Sequence, residues 1–254
     1  MPRDKVQRQR FELKYIIQDD IAVKIRDFLQ AYLTLDEYGA TQPDLSYPVH
    51  SLYLDSEDLR LYRSTINGDK NRYKMRLRFY ERGDAAPIYF EIKRRADSAI
   101  SKLRGKVLRE SVAALLAGQM PVMEDLAEPT PEGLAAVQEF FRRLNELNAS
   151  PKAHVAYRRE AWVTDHDNSL RVTFDREVRS EPQYDLQLST RMTEPTHAFG
   201  NNIILEIKFT DRIPRWVHEM VQAFGLRQRS AGKYVDGIAN APLDQLNTWH
   251  ATYI

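Results

Sequence analysis

Five short segments place charged side chains two residues apart: Glu12 and Lys14; Lys74, Arg76 and Arg78; Glu91 and Lys93; Arg171 and Asp175, with Thr173 between them; Glu206 and Lys208. Apolar residues fill the alternate positions, as in Phe11-Glu12-Leu13-Lys14-Tyr15, Met75-Arg76-Leu77-Arg78-Phe79 and Leu205-Glu206-Ile207-Lys208-Phe209. Neighbouring residues of a strand point to opposite faces, so each segment gathers its charges on one face. A sheet with one solvated side gives the same alternation, and for a single strand that explanation suffices. Over five segments the pattern is narrower. A solvent face mixes Thr, Ser, Gln and Lys, whereas these faces alternate guanidinium or ammonium with carboxylate. Arginine offers a bidentate fork that matches phosphate oxygens. If the sheet closes, the charged face becomes a lumen and the apolar face meets outer helices. Buried cations repel one another, so such a lumen requires a polyanion gripped from several sides. Phosphoryl transfer suits it, because that chemistry needs positioning and charge neutralisation rather than a side-chain nucleophile.

The elements that must carry these residues follow from periodicity. Phe11–Ile17, His50–Leu54, Tyr73–Tyr80, Ile88–Arg94, Lys152–Val163, Leu170–Val178 and Ile203–Phe209 read as strands. Ile21–Leu33 reads as a helix capped by Asp19 or Asp20, and Ser56–Ile66 as a short helix or turn before the Asn67-Gly68-Asp69 turn. Leu108–Leu116 and Leu134–Leu147 read as helices around a Pro121–Pro131 loop. Glu81–Pro87 reads as a hairpin loop and Glu181–Gly200 as a polar connection. Pro214 opens a helix with Val217, Met220, Val221 and Phe224 on one stripe. No repeat and no linker divides the chain. The expected fold is a single α+β domain over residues 1–254: a closed antiparallel β-barrel tunnel with a charged lumen and helices packed outside. Residues 1–10, polar and basic, are expected to form a flexible tail rather than a secretory signal.

Bulk composition sets limits. The chain has 254 residues, 37 basic and 36 acidic, and 43% apolar content. A balance this close to neutral argues against nucleic acid as a partner. There is no cysteine, which excludes disulfides, zinc–thiolate sites and thiol catalysis and agrees with a cytoplasmic location. No run of about 18 apolar residues exists, so no membrane span is expected. The six histidines show no metal-ligand spacing; His50, His154 and His218 read as structural or solvent-exposed.

In series, Phe11-Glu12-Leu13-Lys14-Tyr15, Ser51-Leu52-Tyr53-Leu54-Asp55, Met75-Arg76-Leu77-Arg78-Phe79, Glu91-Ile92-Lys93, Arg171-Val172-Thr173-Phe174-Asp175, Leu205-Glu206-Ile207-Lys208 and Gly232-Lys233-Tyr234 resemble the VTC domain. This is the polyphosphate-polymerase domain of the vacuolar transporter chaperone and its bacterial relatives, within the triphosphate tunnel metalloenzymes that also include CYTH-type triphosphatases. The resemblance covers Phe11 to Ile238. It implies a tunnel of antiparallel strands in which Lys14, Arg76, Arg78, Lys93, Arg171 and Lys233 grip phosphates. It adds Arg159 with Tyr157 beside it, and Lys102 as a further basic contact. It makes Glu206 the carboxylate that holds a divalent metal, Mn2+ or Mg2+. One departure is informative: CYTH hydrolases open with Glu-x-Glu-x-Lys, and here the series is Arg10-x-Glu12-x-Lys14. Losing one of the paired glutamates weakens the hydrolase reading.

Several residues keep two readings. Glu12 either contacts the metal or pairs with Lys14 or Arg76. Glu91 orients Lys93 or an arginine, and Asp175 does the same for Arg171. Lys208 is a ligand contact or the partner of Glu206. Arg94, Arg95 and Arg104 read as a basic rim near loops, and Trp216, Met220 and Phe224 as core. The leading function is synthesis of inorganic polyphosphate from ATP. An inorganic or nucleoside triphosphatase on the same scaffold and a non-catalytic polyphosphate- or nucleotide-binding module are the alternatives. ATP, polyphosphate or inorganic triphosphate are the expected ligands, and a protein partner is left open.

Overall fold

A computed structural model describes residues 10–80, 86–97, 99–165 and 169–241. The expected tail at residues 1–9 and most of the expected 81–87 hairpin loop lie outside them. In chain order the elements are β1 (Arg10–Ile17), α1 (Asp19–Leu29), β2 (Thr34–Leu35), β3 (Tyr47–Asp55), α2 (Arg60–Ile66), β4 (Asn71–Phe79), β5 (Ile88–Ala96), β6 (Ala99–Val107), α3 (Ser111–Leu116), α4 (Pro131–Leu147), β7 (Ser150–Val163), β8 (Leu170–Pro182), β9 (Thr196–His197), β10 (Ile203–Thr210), α5 (Arg215–Ala223) and α6 (Lys233–Ala239). The architecture is α+β, with one large antiparallel sheet and helices on it.

The sheet order is β2-β7-β3-β4-β5-β6-β1-β10-β8-β9, and β7 also pairs with β8. The sheet therefore curls until β7 meets both β3 and β8. The closed barrel expected from the sequence is laced least, among the described residues, at the β6–β1 seam. Among the described residues β6 and β1 share one residue pair, Arg10↔Ile100, at the first described residue of the chain, whereas β1 and β10 pair from Arg10 to Ile17.

Alternation decides which face is which. On the outer face of β3, β4 and β5, Leu52, Leu54, Met75, Leu77, Phe90 and Ile92 pack under α3 and α4. α4 is set by Thr130, whose hydroxyl accepts the Gly133 N–H at 3.0 Å, and by Pro131 at its first position. It buries Val137, Phe140 and Phe141, each worth about 1.5–3 kcal/mol of transfer free energy when fully covered. Around β1, β8 and β10, Tyr15, Ile17, Val172, Phe174, Leu205 and Ile207 pack under α1 and α5. Met220 is buried there, with Trp216 and Phe224 against the same cluster, as expected of core residues.

Strand β6, absent from the strands expected from the sequence, carries Lys102 and Arg104, so Arg104 does not lie near a loop. It pairs with β5 from Ile88↔Val107 to Ala96↔Ala99. Gly105 is the reason it lies flat under α4: a Cβ there would stand 2.2 Å from Val137 Cγ2. The helix expected over 108–116 begins at Ser111, and the polar connection contains the short β9.

The third apolar cluster lies on the inner side of the sheet. Tyr234 and Ile238 of α6 pack with Tyr53, Val155, Tyr157, Val178 and Ile204. α6 thus fills one end of the curled sheet. Gly237 allows the close approach, since a Cβ there would meet Ser180 Oγ at 2.4 Å.

Candidate active site

The inner face holds a cavity of about 1440 Å³. Glu12, Lys14, Arg76, Arg78, Lys93, Lys102, Tyr157, Arg159, Arg171, Glu206, Lys208 and Lys233 all line it, so residues drawn from seven strands and α6 reach one space. Fifteen basic side chains line it against two carboxylates, Glu12 and Glu206. Asp36, Glu91 and Asp175 stand buried behind the lining. Even with all five carboxylates counted, the wall remains strongly positive.

The carboxylates orient the cations. Glu91, fully buried on β5, takes Arg76 Nε at 2.7 Å and Arg104 Nε at 2.5 Å, with Lys102 Nζ at 3.8 Å. Arg104 is therefore a lumen residue, not rim; its guanidinium also lies over the Tyr89 ring. Asp175 on β8 receives Arg159 through two bonds of 2.7 Å and Lys233 at 2.6 Å. The expected pairing of Asp175 with Arg171 is not observed. Arg171 donates instead to Asp36 at 2.7 Å, and Tyr47 donates to the same carboxylate at 2.9 Å. Asp175 finds Arg159 directly opposite on the β7–β8 ladder, whereas Arg171 reaches Asp36 just beyond β2.

Glu206 sits at the centre of four cations. Lys208 lies 2.5 Å away, Lys233 3.0 Å, Lys14 3.2 Å and Arg159 3.6 Å. Burial alone would raise its pKa, but these four charges hold it well below the usual carboxylate range. Lys208 is thus the ion-pair partner of Glu206, and burial still brings its own pKa down to about 8. Glu12 pairs with Lys14 at 3.2 Å and with Lys93 at 2.6 Å, not with Arg76. The Lys93 contact runs from β5 to β1, so a side-chain pair spans the β6–β1 seam.

Arg78 differs from its neighbours. It is 6% exposed, yet its bonds go to neutral groups: Nη2 to the Tyr157 hydroxyl at 2.9 Å and Nε to Ser51 Oγ at 3.4 Å. No carboxylate among the described residues forms an ion pair with it. Lys74 shares its strand face, likewise lines the cavity without an ion pair, and has its pKa pushed down to about 8, chiefly by burial.

The segment Ser51–Asp55 gains a concrete role. Asp55 accepts the backbone N–H groups of Ser56, Leu61 and Tyr62 and the Tyr234 hydroxyl, tying α2 and α6 to β3. Tyr234 stacks on Tyr53 at 4.8 Å, and the Tyr53 hydroxyl accepts Arg76 Nη1 at 3.0 Å. Burial would raise the Tyr53 pKa, but Arg76, Lys74 and Arg78 bring it down to about 8. Sequence reasoning quoted Tyr53 without a task; its inward position, two residues from Ser51 and Asp55, was the available signal. The rim residues Arg94 and Arg95 line the mouth of the same cavity. His50 and His154 form a buried pair at 3.1 Å and His218 is exposed, in keeping with structural and surface roles.

The VTC domain family matches residues 9–241. The chain belongs to that family. A Bacillus halodurans structure described as a "putative adenylate cyclase" superposes with a TM-score of 0.51 at 12% identity, over 89% of this chain and 94% of its own. The PH1819 protein of Pyrococcus horikoshii aligns with a TM-score of 0.45 at 12% identity, over 91% of this chain and 98% of its own. No curated protein matches the sequence. Among the described residues no helix is long and apolar enough to cross a membrane.

VTC and CYTH-type domains act with a divalent cation, and the donor set here can be tested for one. Among the described residues no group of three or more His, Asp or Glu forms a metal site unaided. Glu12 and Glu206 do converge, each 3.2 Å from Lys14 Nζ, which stands between the two carboxylates. A hard cation such as Mg2+ takes one or two carboxylates and completes its shell with water and substrate phosphates. The pair therefore fits such a cation when a phosphate chain accompanies it.

Proposed function

We propose that the protein performs metal-dependent phosphoryl transfer on triphosphate substrates, with inorganic polyphosphate synthesis from ATP as its reaction and the cytoplasm as its place of work. The observation that carries this reading is Arg78. A guanidinium is always charged, and Glu91 acts on this one only from a distance; burying it with no carboxylate in direct contact is costly, so a ligand anion completes its neutralisation. The curled sheet would serve as a tunnel, its β6–β1 seam held by the Lys93–Glu12 pair. Arg76, Arg78, Lys93 and Arg171 would neutralise the reacting phosphoryl group, and Lys14, Lys102, Tyr157, Arg159, Lys208 and Lys233 would hold the rest of the chain. Glu91 and Tyr53 fix the Arg76 fork before substrate arrives, so little reorganisation is needed as negative charge moves onto the leaving oxygen. Glu206 and Glu12 would hold Mn2+ or Mg2+, which supplies further charge neutralisation at the phosphates.

A second reading rests on α6. Because that helix fills one end of the lumen, the cavity also suits a short triphosphate with water as acceptor, which is triphosphatase chemistry. Phosphorus NMR of the purified protein with ATP and manganese separates the two. Mid-chain phosphate signals growing with ADP, and vanishing in Arg76→Ala and Glu206→Ala, support the polymerase. Orthophosphate alone moves the assignment to hydrolysis. Binding without turnover leaves a polyphosphate or nucleotide module.

A further inference from the structure

A second, smaller cavity of about 370 Å³ opens on the outer side of β7 and β8, lined by Arg26 of α1, Asp44 and Ser46 before β3, Arg158 of β7, and Arg176 and Glu177 of β8. None of these residues lines the tunnel. Three guanidiniums from three separate elements meet there, and only one of the acids around them, Glu160, is buried; Asp19, Asp44 and the lining residue Glu177 are exposed. Arg26 and Arg176 share one fully buried acid, Glu160, at 2.8 and 2.6 Å; Arg176 has a second acid, Asp19, only at 3.8 Å, and that side chain is 75% exposed. Arg158 is held by Asp44 at 2.6 Å, but the Asp44 side chain is 51% exposed. An exposed pair of this kind is weak and yields readily to a better acceptor. Arg26 uses Nε and Nη2 on Glu160, Arg158 uses Nε and Nη2 on Asp44 and Ser46, and Arg176 uses Nη1 on Glu160. Each guanidinium thus keeps at least one N–H nitrogen without a hydrogen-bond acceptor among the described residues.

The backbone around the cavity is unusual as well. Leu45 and Glu177 both sit at positive φ, +58° and +50°, although neither is glycine. Glu177 lies where the β7–β8 register slips, between the pairs Ala156↔Arg179 and Arg158↔Arg176. Left-handed non-glycine residues and bulges cost energy and gather at functional sites. The cavity also stands back to back with the tunnel. Arg158 precedes the tunnel residue Arg159, Arg176 follows Asp175, and Ser46 precedes Tyr47, which holds Asp36 beside Arg171.

We propose that this outer cavity is a second anion site, separate from the tunnel, which takes a compact phosphate-class anion such as orthophosphate or pyrophosphate. Its ligand replaces Asp44 on Arg158 and draws on the unused edges of Arg26 and Arg176. Binding there bears on the tunnel through the shared β7–β8 ladder. The inference stands whether or not the tunnel turns over ATP.

Calorimetric titration of the full chain with pyrophosphate, and separately with orthophosphate, tests it. Two classes of site are expected for at least one of the two ligands, and the ligand that shows them identifies the occupant. Arg158→Gln and Arg176→Gln should each weaken one class by about tenfold or more. Arg76→Gln should weaken only the other. If Arg176→Gln fails to fold because Glu160 loses a partner, Arg158→Gln, whose acid is exposed, still decides. As an independent readout, backbone amide signals of Ser46 and Glu177 should shift on ligand addition in the Arg76→Gln background. A single class of site with both ligands, a second class indifferent to Arg158→Gln, or unmoved Ser46 and Glu177 signals overturns the proposal.

Discussion

Replacing Glu206 by Gln keeps the side chain's shape and removes the charge that four cations share. Three of them retain another acid: Lys14 has Glu12 at 3.2 Å, and Lys233 and Arg159 have Asp175 at 2.6 and 2.7 Å. Lys208 has no other ion pair among the described residues, and it stands 2.5 Å from the carboxylate. Removing one partner of a buried ion pair costs about 3–5 kcal/mol. The cost is limited here, because Lys208 already has its pKa brought down to about 8 by burial and can release its proton at about 1.4 kcal/mol per pH unit. The expected loss of stability is therefore about 2–3 kcal/mol, which in a chain of this size lowers Tm by roughly 5–10 °C. Tripolyphosphate supplies the missing negative charge, so the gap to the parent should narrow when it saturates the site. Its metal-free affinity should hold or rise, since a carboxylate has left a phosphate site. Turnover with ATP and manganese should fall by about 100-fold or more, equivalent to about 2.7 kcal/mol at the transition state. Thermal melts with and without tripolyphosphate, calorimetry and phosphorus NMR read the three quantities. Turnover within about twofold of the parent would falsify the catalytic role of Glu206. An unchanged melt would refute the ion-pair reasoning, and a tenfold loss of tripolyphosphate affinity would refute the view that the cations bind phosphate without it.

Lys74 and Lys208 have pKa values lowered to about 8, so they are charged below that value and neutral above it. Tripolyphosphate affinity should fall as pH rises from 7 to 9, by up to about tenfold per lysine, and ionisation of Tyr53 in the same window pushes the same way; an affinity flat across this range in calorimetry contradicts the assignment. Gly237→Ala puts a Cβ 2.4 Å from Ser180 Oγ and 2.8 Å from its Cβ. Overpacking of about 1–3 kcal/mol should outweigh the helix-propensity gain of up to about 1 kcal/mol, lowering the melt and speeding hydrogen exchange in α6, with partial recovery in Gly237→Ala/Ser180→Gly. Glu12→Gln removes the Lys93 tie across the seam, so amide exchange should quicken in β1 and β6 while β3 and β7 keep their protection.

The alternation of charge and apolar side chains was legible from the sequence because strand facing is local: two residues along the chain return the same face whatever the neighbours are. That rule alone sorted Glu12 and Lys14, Arg76 and Arg78, and Glu206 and Lys208 onto the inner face, and it placed the helices outside. It failed at β6, where Lys102, Leu103 and Arg104 alternate correctly but adjoin Gly105, whose task under Val137 depends on a helix about thirty residues away. Pairing was beyond reach for the same reason. Asp175 and Arg171 share a face on one strand, yet Asp175 goes to Arg159 and Lys233 while Arg171 goes to Asp36, because strand adjacency and register bring those groups closer. The filling of one end by α6 is likewise an outcome of packing between distant segments. So is the lack, among the described residues, of a direct ion pair to Arg78. In sequence it is one arginine among several; only the fold surrounds it with Ser51 and Tyr157 and leaves its charge for a ligand.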